Sequence, residues 1–137
     1  MAKLNKKQEL FLIEFIQNRN EFIEIIKEKY HIDFSKDFSL KQLENLEKVL
    51  VNKRQTINND MLNPLCFVIG EVIIKELGGN WTIGTVKKDS AYNLPIILNW
   101  GNDGKDHIRL CPIEWIELFL ENSLRLEVFS KIILQFK

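Results

Sequence analysis

Asn63-Pro-Leu-Cys-Phe-Val-Ile-Gly-Glu-Val-Ile-Ile-Lys-Glu-Leu-Gly-Gly-Asn-Trp81 reads as a helix with a start signal and a stop signal, running straight into a β-sheet. Asn63 is placed to cap its N-terminus, with Pro64 at the first helical position, where a missing N–H costs nothing. Gly78 and Gly79 follow the last periodic residue, Leu77, where a left-handed C-cap is wanted. Between these signals Leu65, Cys66, Phe67, Val68, Ile69, Val72, Ile73, Ile74 and Leu77 leave little polar face, so the helix is expected to be buried on most sides. Gly70 in its middle costs roughly 1 kcal/mol relative to Ala, which points to close approach by another backbone.

N-terminal to it, residues 5–30 read as one long amphipathic helix, with Leu12, Phe15, Arg19, Phe22, Ile26 and Lys29 at helical steps and Phe11, Ile16, Ile23 and Tyr30 widening the apolar stripe. Asn5 followed by Gln8 resembles a capping box, and Glu14, Glu21 and Glu28 form an acidic edge that reads as a solvated face. After a loop at 31–39, Ser39 with Gln42 starts a second helix from Leu40 to about Arg54, with Leu43, Leu46, Leu50 and Val51 inward.

C-terminal to it the period changes from 3.6 to 2. Trp81 and Ile83 share one strand face, and Leu94, Ile96, Leu98 and Trp100 share another strand's inner face. Gly101-Asn-Asp-Gly104 is a hairpin turn signal, and Lys105 to Cys111 alternates with Ile108 and Leu110 inward and His107 and Arg109 outward. Pro112 opens a helix to about Glu121, with Ile113, Ile116 and Leu120 inward, and Ser123 caps a last one through Lys137. The expected fold is α+β in one domain, 1–137: N-terminal helices, a three-stranded antiparallel meander at about 81–111, then two C-terminal helices.

The 137 residues are 45% apolar and 28% charged, a profile of ordinary globular chains. Nineteen basic side chains balance nineteen acidic ones, with 11 and 10 in residues 1–60 and 8 and 9 in 61–137. Nucleic-acid binders carry a basic excess or stripe, so that class is disfavoured. Cys66 and Cys111 are too few for a disulfide framework and read as reduced thiols of a cytoplasmic protein. The cluster Phe11-Leu-Ile-Glu-Phe-Ile16 is too short for a signal-peptide core or a membrane span.

The order Gly70-Glu71-Val72-Ile73, Gly78-Gly79, a strand led by Trp81, then Pro112 and Trp115 resembles uncharacterised small bacterial α+β domain families, over about residues 61–120. Similar domains recur among immunity proteins that neutralise bacterial toxins. The resemblance implies a small non-enzymatic protein that binds another protein, and it brings no catalytic motif to transfer.

Candidate chemistry is sparse. His107 and Cys111 share a strand face and, with His31 and Cys66, make a zinc set on paper, but close-spaced ligand pairs are absent. As a nucleophile pair, His107 and Cys111 stand about 13 Å apart on an extended strand, beyond hydrogen-bond reach. Gly78-Gly79 ends a helix instead of opening one, the wrong polarity for a phosphate loop. No catalytic residue, metal or cofactor is therefore assigned.

Glu114, Glu117 and Glu121 fall at i, i+3 and i+7 on one helix face, and Asp103 and Asp106 flank the hairpin tip. The pattern is that of a solubilising face; its functional reading is an acidic patch for a basic partner, such as the active site of a nuclease toxin. The other candidate surface is the outer sheet face, with Thr82, Gly84 and Val86 beside Pro95, Ile97 and Asn99 and then His107, Arg109 and Cys111. It is apolar enough to be either covered by a helix or a recognition surface. A small enzyme or ligand-binding module built there, around His107 and Arg109, is the rival to a protein-binding role.

Overall fold

A computed structural model describes residues 3–101, 108–121 and 128–137. Among them run α1 (Lys6–Gln17), α2 (Arg19–Tyr30), α3 (Leu40–Val51), a 3-10 turn (Arg54–Thr56), α4 (Asn59–Leu77), β1 (Asn80–Ile83), β2 (Pro95–Leu98), α5 (Pro112–Leu120) and α6 (Val128–Gln135). The class is α+β, with six α-helices and a small antiparallel sheet among the described residues.

The central helix is α4. Leu65, Cys66, Phe67, Val68, Ile69, Val72 and Ile73 are all fully buried, because α2, α3, α5, α6 and β2 surround it. Fully burying an aliphatic side chain of this kind contributes about 1.5–3 kcal/mol. The helix starts earlier than the Asn63–Pro64 signal implies. Asn58 is the cap, its side chain accepting from the Asp60 N–H, and Pro64 lies inside the helix. There its ring nitrogen leaves the Asp60 carbonyl without an i→i+4 donor. Asn63, expected as the cap, lies inside the helix, and Met61 and Leu62 belong to its first turns. At the other end Gly78 (φ 82°) and Gly79 (φ 105°) take the positive φ values that L side chains resist.

The expected single helix over 5–30 is two. It breaks at Asn18, whose N–H turns back to the Glu14 and Ile16 carbonyls. The polar run Gln17-Asn18-Arg19-Asn20 has no apolar residue to hold the chain straight against the core. The break lets α2 pack along α4 while α1 swings onto β1. A cost follows: Phe11 and Ile16, expected inward, are exposed together with Leu10 and Ile13. Phe15 is the deep anchor of α1, its ring 5.0 Å from that of Trp81 and 5.5 Å from that of Phe67. The capping box at Asn5 and Gln8 forms as read.

Among the described residues the sheet has two strands in place of the expected three-stranded meander; residues 102–107 of that meander lie outside them. The described part of the third segment meets the sheet through Ile97 and Leu110, which exchange N–H···O bonds of 2.9 and 3.1 Å, and through the Cys111 thiol on the Pro95 carbonyl. Asn99 (φ 61°) and Gly101 (φ 81°) turn the chain off the sheet just after β2. The Ile108 carbonyl accepts from the Trp100 indole instead of a strand, and Cys111 already leads into the proline that opens α5. Ile108, expected inward, is exposed. The register also differs. Trp81 pairs with Ile97 and Ile83 with Pro95, so the first strand's inward residues share a face with residues assigned to the outer one. Both faces are covered, with Pro95, Ile96 and Ile97 all buried.

Gly70 admits a side chain, not a backbone. A Cβ there would stand 2.1 Å from the Trp81 ring. The indole is stacked on Phe67, and its N–H donates to Glu71, which also accepts from Arg19 at 2.8 Å. At the far end, Glu47 of α3 is fully buried and accepts from the N–H of Ser130 at 2.6 Å and its hydroxyl at 3.0 Å. A carboxylate from one helix thus caps the first turn of another.

Candidate functional site

Pro112 fixes the first turn of α5 and turns Ile113, Ile116 and Phe119 into the core. The same pitch puts Glu114, Glu117 and Glu121 on the opposite side, where with Leu118 they line a depression of about 350 Å³. Glu117, Leu118 and Glu121 are exposed and Glu114 is half-buried. Asp103 and Asp106 lie outside the described residues, so their place relative to this face is not part of the site.

The glutamates differ in what they hold. The Arg109 guanidinium grips Asp89 with two bonds of 2.5 and 2.6 Å and Glu114 with bonds of 2.6 and 3.1 Å. Ser90 bonds both Arg109 and Glu114. This array pins the β1–β2 connection to the start of α5. The fork-on-carboxylate bonds hold Asp89 down at a pKa of about 2 and push Arg109 up. Arg109, expected to face outward as a ligand-binding group, is instead a clamp with its donors engaged. Asp89 was not among the candidates, because a partner 20 residues away in a polar loop leaves no periodic signal. Glu117 and Glu121, in contrast, have no ion pair among the described residues.

The outer sheet face closes as a site. Ile97 and Cys111 are buried on it, and His107 lies outside the described residues. Burial pushes the Cys111 thiol up to about 11 and the Cys66 thiol well above its ordinary value, so neither is a thiolate at neutral pH. His31 is the left-handed cap of α2, exposed to solvent. Among the described residues no three metal-ligating side chains gather.

No protein-family model, curated protein or solved structure matches this chain. The site must therefore be read from its own chemistry. Among the described residues no helix is long and apolar enough to cross a membrane. What α5 offers is two carboxylates with no ion pair among the described residues, around one exposed leucine, beside the Arg109 clamp on Glu114 at the start of the helix. That suits a long basic side chain, whose stem covers Leu118 while its charged head sits between the glutamates.

Proposed function

We propose that this chain is a non-enzymatic, cytoplasmic protein that works by binding another protein, most concretely a bacterial immunity protein that neutralises a toxin. One observation carries it: Glu117 and Glu121 stand exposed, with no ion pair among the described residues, beside exposed Leu118 in a single depression. A basic partner surface, such as the nucleic-acid-binding cleft of a nuclease toxin, has the complementary charge. The resemblance of residues 61–120 to small bacterial domains, some akin to immunity proteins, supports the same reading. Fixed charges of this kind act mainly on association rate.

The test is reversal of the two free glutamates, Glu117→Lys with Glu121→Lys, leaving Glu114 to its clamp. The partner is captured on the tagged wild-type chain from its native cells, and association is followed at rising salt. Melting temperature should hold, and association should slow about tenfold or more at low salt. The deficit should narrow as salt shortens the reach of the charges to about 8 Å at physiological strength. An association rate equal to wild type at every salt concentration would reject the α5 face as the docking surface.

A further inference from the structure

We infer that a second site, at the junction of α1 with the β1–β2 connection, binds a small monocarboxylate with an apolar body. Lys7, Gln8, Phe11, Ile83, Tyr92 and Asn93 line a pocket of about 350 Å³ there, within the range of small-molecule sites. Phe11 and Ile83 supply its apolar wall, and Lys7 is the one charged side chain in its lining.

The polarity of the pocket follows from the helix cap. The Gln8 side-chain oxygen accepts from the Asn5 N–H at 3.0 Å, which commits that end of the amide to the capping box. Its NH2 must therefore point the other way, and it donates to the Asn93 Oδ1 at 2.9 Å. Asn93 thus spends its acceptor on Gln8 and turns its own NH2 free. The backbone fixes the residue in turn: Asn93 sits at φ 66°, with its N–H on the Gly84 carbonyl at 3.0 Å. Gln8 is buried, while its partners Asn5 and Asn93 are exposed, so the bonds run from the edge of the core to the pocket mouth.

Three donors are left over: the Asn93 NH2, the Tyr92 hydroxyl and the Lys7 ammonium. None has a hydrogen bond or ion pair among the described residues. Among the described residues no carboxylate lines the pocket to neutralise them. A group that accepts several hydrogen bonds and carries a single negative charge matches that set, and a carboxylate is the simplest. The apolar wall asks for a hydrocarbon body attached to it. This pocket shares no residue with the α5 depression, so it stands or falls separately.

The experiment titrates the full chain with sodium benzoate, with its uncharged analogue benzamide, and with inorganic phosphate, while backbone amide resonances are followed. Benzoate should shift residues 7, 92 and 93 saturably and bind at least tenfold tighter than benzamide or phosphate. Lys7→Met, on an exposed side chain, should remove most of the preference of benzoate over benzamide. Asn93→Asp keeps the oxygen that Gln8 needs but replaces the free donor by a charge. It should leave the melting temperature unchanged and weaken benzoate tenfold or more. Equal binding of benzoate and benzamide, tighter binding of phosphate, no saturable shift at these residues, or a benzoate preference intact in Lys7→Met would each overturn the assignment. If Asn93→Asp fails to fold, the Lys7→Met comparison decides alone.

Discussion

α4 and α1 are both rich in large apolar residues, yet one is enclosed and the other lies open. Every side chain from Pro64 to Ile69 on α4 is buried, whereas Leu10, Phe11, Ile13 and Ile16 on α1 are each more than a third exposed. Composition does not separate them; neighbours do. Four helices and a strand converge on α4, while α1 leaves the bundle at Asn18 and packs mainly on β1 and α2, touching α4 through Phe15 on Phe67. A helix on the margin of a fold depends on few anchors, and here the deep one is Phe15.

That contrast breaks first at its anchor. Phe15→Ala should cost about 3–5 kcal/mol, the usual loss for a buried phenylalanine, because its ring meets Phe22, Phe67 and Trp81 together. Denaturant titration measures it, and a loss below about 1 kcal/mol would show that α1 is held by something other than this ring.

Next comes the enclosed helix. Gly70→Ala gains about 1 kcal/mol of helix propensity but drives a methyl group into the Trp81 ring. Net destabilisation of about 1–3 kcal/mol is expected from overpacking, with a change in Trp81 fluorescence as the indole leaves Glu71. A raised melting temperature would contradict the packing described here.

The smallest effect sharpens the comparison. Ile13→Ser, on the open face of α1, should change stability by no more than about 0.5 kcal/mol. Thermal unfolding at several protein concentrations checks it. A loss above about 1.5 kcal/mol that depends on concentration would mean that the face is covered in solution.

What was legible in the sequence was local. Asn5 with Gln8, Ser39 with Gln42, Gly78 after Leu77 and the face shared by Glu114, Glu117 and Glu121 each depend on residues within a turn or two of one another. The break at Asn18 and the lost third strand were not legible, since each depends on where distant elements leave room. The two-residue periodicity of 105–111 is that of a strand, but Trp100 and Pro112 compete for the groups that a strand would use. In the candidate site, charge and spacing identified the glutamates. They did not show that Arg109 and Asp89 would claim Glu114 and leave two carboxylates free.

The Glu47–Ser130 bond also orders events in time. The two residues are 83 positions apart, and a growing chain adds that length in roughly 4–17 s at about 5–20 residues per second. Throughout that interval the helix whose first turn Glu47 caps does not yet exist. Sealing the carboxylate away before then would mean stripping its water without the Ser130 N–H and hydroxyl in return, which costs several kcal/mol. Burial of Glu47 is thus tied to the docking of α6, whose Ser130 N–H and hydroxyl meet its carboxylate.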